Sequence, residues 1–189
     1  MKLMPELNSI GLLELTSVAV GHVALDAMLK AASVEVLLAR SICSGKYLIA
    51  VAGDAASTAA AVEAGARLST GMLIEKRTIS RLDPGVFPAI GMFVDIAPSE
   101  IRALGIIETF SAASIIEVAD TAVKAANVTL LRIHLAMALG GKGFVVMTGD
   151  VSSVEAAVEA GCKVAAAEGM LVARGMIAAP RKELFRDWI

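Results

Sequence analysis

The sequence predicts an α+β fold built twice in tandem, each copy running β-α-β-β-α-β with its helices on one face of an antiparallel-rich sheet. Two observations predict it. Blocks of sequence recur in order along the chain, and within each block short Val/Ile/Leu-rich runs alternate with stretches of helical spacing. Gly11-Leu12-Leu13-Glu14 returns as Gly105-Ile106-Ile107-Glu108, and Asp26–Val34 returns as Asp120–Val128, both at an offset of 94. Beyond a loop that gains two residues, Gly45-Lys46 matches Gly141-Lys142 and Gly53-Asp54 matches Gly149-Asp150. Val62-Glu63-Ala64-Gly65 matches Val158-Glu159-Ala160-Gly161, and Gly71-Met72-Leu73 matches Gly169-Met170-Leu171. Matches this ordered mark a tandem duplication. The expected domains are 1–83 and 102–189, joined by a linker over 84–101.

Each copy opens on a short apolar strand, Ile10–Leu15 or Leu104–Thr109. Ser17 and Ser111 follow as N-caps, because a hydroxyl there satisfies otherwise orphaned helix amides. In the second copy Ile115, Ala119, Ala122, Val123 and Ala126 recur at helical spacing and form one apolar face. Asp26 with Lys30, and Asp120 with Lys124, have the acid-before-base spacing that supports a helix by about 0.2–0.5 kcal/mol. Two strands come next, Val34–Ile42 with Tyr47–Ala52 and Val128–Leu135 with Phe144–Thr148, the first pair reading as adjacent strands of a buried sheet. Asp54 and Asp150 are expected to cap an Ala-rich second helix, where Ser152 and Glu155 have capping-box spacing. Last strands run Met72–Ile79 and Met170–Ala178, with Met72 and Met170 most simply core residues.

Between the copies, Arg81–Glu100 holds Pro84, Gly85, Pro88 and Pro98, yet also carries Val86, Phe87, Ile90 and Phe93. It reads as a packed linker. The stretch Arg181–Ile189 suits a short amphipathic helix placing Leu184, Phe185 and Trp188 against the body.

Composition narrows the function classes. The chain of 189 residues is 57% hydrophobic but only 4% aromatic, and its mean hydropathy is +0.73. Ala, Val, Ile and Leu supply that apolar mass, which suits close-packed surfaces and burial between subunits. The longest charge-free runs, such as Leu15–Leu25 and Pro84–Val94, fall short of the roughly 18–20 residues of a spanning helix. The start of the chain has no secretory apolar core. A net charge of −2 offers no basic footprint for nucleic acid. Two cysteines cannot form a disulfide framework, so a reducing cytosol is the expected compartment.

Chemistry concentrates in Ser41-Ile42-Cys43-Ser44-Gly45-Lys46, which joins two strand-like runs. Ser-Gly reads as a two-residue hairpin turn, since Gly accepts the positive φ such turns need. The tip would then carry a thiol, a hydroxyl and a lysine. Elsewhere the signals are weaker. His22 and His134 lack partners at ligand spacing and read as structural, and Cys162 reads as filler within a helix. Gly141-Lys142-Gly143 resembles a phosphate loop only in its Gly-Lys pair, because Ala136 and Gly143 stand where Gly and Ser or Thr are required. Glu14 and Glu108 form a duplicated structural carboxylate rather than a catalytic pair. No nucleophile–base set appears, so an enzyme is not expected.

The motifs Gly-Leu-Leu-Glu-Leu-Thr-Ser, Asp-Ala-Met-Leu-Lys-Ala-Ala-Ser-Val, Ser-Gly-Lys, Gly-Asp and Val-Glu-Ala-Gly resemble the bacterial microcompartment (BMC) shell domain. The resemblance covers nearly the whole chain, twice. Ile-Cys-Ser-Gly-Lys and Leu-Arg-Ile-His-Leu-Ala are most similar to the tandem-domain, T-type branch found in propanediol-utilisation compartments. The resemblance implies two unpermuted, ferredoxin-like domains in a homotrimer that imitates a hexagonal tile, within the shell of a cytoplasmic microcompartment. It implies a central pore lined by Ser41, Ile42, Cys43, Ser44 and Gly45 alternating with Ala136, Met137, Ala138, Leu139 and Gly140. Lys30, Lys124 and Arg181 would meet other shell proteins edge to edge, with Asp83 standing at the place of Arg181 in the first copy. Cys43 matches the position that supplies one thiolate per subunit to a [4Fe–4S] cluster on the threefold axis, with a luminal or cytosolic redox protein as electron partner. The relatives' loop has proline where Ser44 stands. Two readings compete with the cluster: a plain metabolite pore with an idle thiol, and a tandem α+β sensor of a small ligand.

Overall fold

The computed structural model describes residues 7–90, 94–136 and 139–185, and it divides into two compact units, Met1–Pro84 and Gly85–Ile189. The first unit runs β1 (Ser9–Leu15), α1 (Val18–Ala31), β2 (Glu35–Ile42), β3 (Lys46–Gly53), α2 (Ala55–Leu68) and β4 (Leu73–Ser80). The second begins with the one-turn helix α3 (Val86–Ala89) and continues with β5 (Ala103–Thr109), α4 (Ala112–Ala125), β6 (Val128–Leu135), β7 (Gly143–Gly149), α5 (Val151–Ala167) and β8 (Leu171–Ala178). Both units have the expected β-α-β-β-α-β order. The sheets run β2-β3-β1-β4 and β6-β7-β5-β8, with antiparallel strand pairs throughout.

The core explains that order. Leu13 and Leu15 of β1, with Tyr47, Ile49 and Val51 of β3, pack against Ala24 and Met28 of α1 and Ala61 and Val62 of α2. Both helices therefore share one face of the sheet. Burying each of the larger side chains contributes about 1.5–3 kcal/mol. β1 is buried along its whole length, whereas β2 at the sheet edge is mostly half-exposed. The apolar run Val34–Ala39 thus falls in an edge strand and not in a buried interior, whereas its equivalent β6, also at an edge, is mostly buried.

The caps follow the sequence in three of four places. The Ser17 hydroxyl accepts from the Val20 amide, and the Ser111 hydroxyl from the amides of Ala113 and Ser114. Asp54 accepts from the amides of Ala56 and Ser57 at 2.9 and 2.8 Å. Asp150 makes no cap bond; its carboxylate instead takes Arg102 Nη1 at 2.6 Å, so an ion pair has displaced the cap. Ser152 and Glu155 form no capping box, since α5 starts at Val151 and both lie inside it. The amide and hydroxyl of Ser57 hold the Asp54 carboxyl below its ordinary value, with a further bond from the Ala56 amide. A depressed carboxyl contributes stability above its unfolded-state value that is lost as pH falls through the folded one. The gap in unfolding midpoint between wild type and Asp54→Ala should therefore narrow as pH is lowered from 7 towards 3. A pH-independent gap would refute this account.

The linker is packed, as expected. Val86 and Ala89 are fully buried, α3 sits against β6 and α4, and Ile90 bridges to Ile133. The Val94 amide donates to the Leu131 carbonyl at 2.7 Å. Phe93 lies outside the described residues. Two expectations of burial fail. Met72 is 42% exposed, its sulfur beside the Thr16 hydroxyl at 3.2 Å, because it precedes β4 at the surface. Leu184 is 40% exposed in a 3-10 turn, Lys182–Phe185, and so is not buried in the core. Trp188 lies outside the described residues.

Candidate functional site

The hairpin between β2 and β3 pairs Ile42 with Lys46, so its loop is the three residues Cys43-Ser44-Gly45 and not a two-residue Ser-Gly turn. The reason is backbone handedness. Ser44 and Gly45 both adopt positive φ, 64° and 72°, and the turn needs Cys43 as a third residue before them. Space beyond Gly45 is open, so glycine is there for its φ. The second unit repeats the device in a longer loop, where Gly140 and Gly141 have φ of 64° and 95°. Two successive left-handed residues thus turn both tips.

Cys43 is half-buried at the first tip, flanked by exposed Ser44, Gly45 and Ser41. Ile42 is buried in this chain's own core, so any contribution it makes to a pore comes from its backbone. In the second tip Ala136 is fully buried, Leu139 half-buried and Gly140 exposed. Met137 and Ala138 lie outside the described residues.

A pair of ion pairs stands at the root of the tips. Lys46 Nζ donates to Glu14 Oε1 at 2.9 Å, and Lys142 Nζ to Glu108 Oε1 at the same distance. Each links the first residue after the loop, or the last within it, to the central strand of its sheet. The sequence signalled both partners separately, through the repeated Gly-Lys and the repeated strand glutamate, without showing that they meet. The glutamates are structural carboxylates that anchor the hairpins.

The lysines assigned to a tile edge lie at the far end of each unit. Gly21, early in α1, lies against the Tyr47 ring beside the tip, whereas Lys30 ends that helix near the start of β2. Tip and lysine are thus separated by the length of β2, about 26 Å at ~3.3 Å per residue. Lys30 Nζ is exposed and donates to Asp26, and Lys124 to Asp120, each at 2.6 Å. Arg181 is exposed, 3.6 Å from Glu183.

Other residues singled out in the sequence are packing groups. His22 is exposed on α1 against the Tyr47 ring, centroids 5.0 Å apart. His134 is buried, stacks on Phe144 at 4.9 Å and accepts from Arg132 Nη2 at 3.2 Å. Cys162 is buried within α5, and burial pushes its thiol up, partly opposed by the Arg174 charge. Among the described residues, no three histidine, cysteine or acidic side chains of one chain are placed to hold a metal ion. No helix among them is long and apolar enough to cross a membrane. One chain therefore brings a single thiol to the tip, and a cluster fits these residues only if separate copies each contribute theirs.

The BMC domain family matches residues 9–82 and 103–180. Over 182 residues, covering 96% of this chain and 98% of the relative, the sequence is 41% identical to the bacterial microcompartment shell protein PduT of Citrobacter freundii. It is 39% identical over 79 residues to the shell protein EutK of Escherichia coli (strain K12), covering 41% of this chain and 48% of that protein. A crystal structure of a microcompartment protein from Desulfitobacterium hafniense DCB superposes with a TM-score of 0.91 at 44% identity, covering 96% of this chain and 99% of that one.

Proposed function

The chain belongs to the BMC domain family, in two tandem copies, and from that premise we propose that it is a structural tile of a microcompartment shell, working as a homotrimer. The observation that carries this reading is the placement repeated in both units: a glycine-turned hairpin tip at one end and an exposed lysine at the other. Three chains would bring six tips around one axis as a pore and leave six lysines at the rim for neighbouring shell proteins. The role is structural rather than catalytic, and the place of work is the shell. Sedimentation and electron microscopy of the purified protein test it: trimers that form sheets or facets are expected, and a monomer that forms neither refutes it. Lys30→Ala and Lys124→Ala should each weaken sheet formation and leave the trimer intact. Unchanged sheets in both variants would remove the lysines from the edge.

The finer reading concerns Cys43. Three copies of this thiol at the axis would hold a [4Fe–4S] cluster, which when bound supplies single-electron transfer across the shell to a redox partner on either side. What supports it is the half-buried thiol at the tip of a loop anchored by Lys46 and Glu14. Anaerobically purified protein should contain iron and sulfide and give an EPR signal on reduction, all absent from Cys43→Ser. Iron-free wild type that still assembles leaves the pore and removes the cluster.

A further inference from the structure

The two units are copies, yet their equivalent surfaces differ in exposure. In the second unit the α4–β6 face is covered: Ala112 is 1% exposed, Leu130 3%, and Ile116 and Ala119 are fully buried. At the equivalent places of the first unit, Val18 is 38% exposed, Val36 43%, His22 exposed and Leu25 half-buried. What covers the second unit is the segment that follows β4. Its short helix α3 packs on β6 and α4, with Val86 and Ala89 fully buried.

The segment that follows β8 repeats that one. Arg81 and Ala179, equivalent at an offset of 98, both turn the chain out of the last strand with positive φ, 60° and 47°. A single helical turn comes next in each, Val86–Ala89 and Lys182–Phe185. The apolar pattern Val86-Phe87-x-x-Ile90 recurs as Leu184-Phe185-x-x-Trp188 at the same offset. Val86 is buried, whereas Leu184 is exposed. A bare face and a second copy of the segment that covers its twin stand in one polypeptide.

We propose that the α1–β2 face of the first unit is the docking site for the segment after β8 of a second copy of this chain. Leu184 would take the place that Val86 takes on the second unit, with Phe185 and Trp188 following in register. The contact is heterologous, so repeated by the threefold rotation of the proposed tile it would close the assembly into a ring. It rests on self-association, as the tile reading does, but assigns which segment meets which face.

Two measurements test it, one in the full chain and one by comparison with a variant that lacks the segment. The sequence has a single tryptophan, Trp188, so its emission should shift to the blue as the protein associates, and Val36→Asp should reverse that shift. Amide exchange in α1 and β2 should be slowed in the associated wild type and speed up about tenfold or more in a variant ending at Pro180, the loss expected when an anchor leaves the centre of an interface. Associated wild type with solvent-like Trp188 emission, or with equal protection of α1 and β2 in the truncated variant, overturns the docking site while leaving the tile. A monomeric wild type overturns both.

Discussion

Gly161→Val is expected to destabilise the second unit by about 3 kcal/mol, at the upper end of the cost of overpacking a core. A β-carbon at Gly161 would lie 2.7 Å from Ile107 Cδ1, 3.0 Å from Val118 Cγ1 and 3.3 Å from the Val118 carbonyl oxygen. The carbonyl belongs to α4, so relief would require the helices to part. At the twin position, Gly65, the close atoms are Leu13 Cδ1 at 2.7 Å with Met28 Cγ and Sδ at 2.7 and 3.0 Å. Those are side-chain atoms, and methionine repacks with ease. Gly65→Val should therefore cost less, about 1–2 kcal/mol. Urea unfolding with an unchanged m-value reads both, and equal costs would refute the distinction. The glycine of Val-Glu-Ala-Gly is thus a helix-packing residue in both copies.

Lys46→Met should cost about 2–3 kcal/mol, somewhat below the loss expected on breaking a wholly buried ion pair. The asymmetry of the pair sets the sign. The Glu14 side chain is 10% exposed and Lys46 33%, so removing the lysine strands the more buried charge. Glu14→Gln should cost less, because a lysine that reaches solvent can turn towards it. The double variant Glu14→Gln, Lys46→Met should recover part of the loss, giving a coupling energy by double-mutant cycle. In the second unit Glu108 and Lys142 are more open, at 28% and 39%, and Lys142→Met should cost about 1 kcal/mol or less. Additive losses in the first unit would show that the pair does not act as one.

Local chemistry was legible in the sequence where a side chain acts on its own neighbourhood. Ser17, Ser111 and Asp54 cap helices because their acceptors sit next to amides a few residues away. The same reasoning failed at Asp150, whose carboxylate pairs with Arg102, 48 residues distant. It failed again at Met72 and Leu184, whose apolar character says nothing about whether a neighbour covers them. The hairpin tip was found, but its length was not, because a serine with positive φ carries no sequence mark as plain as glycine's.

By itself the sequence determined the duplication, the order of elements in each copy, the family and the cysteine at the tip, since repeats and periodicity are properties of residue order. Only the tertiary structure decided which charges meet across the strands, which strand is an edge, and which of two equivalent faces is left bare. Those are outcomes of contact between segments distant in the chain, and residue order fixes them only once the sheet has brought Glu14 to Lys46 and the linker to β6.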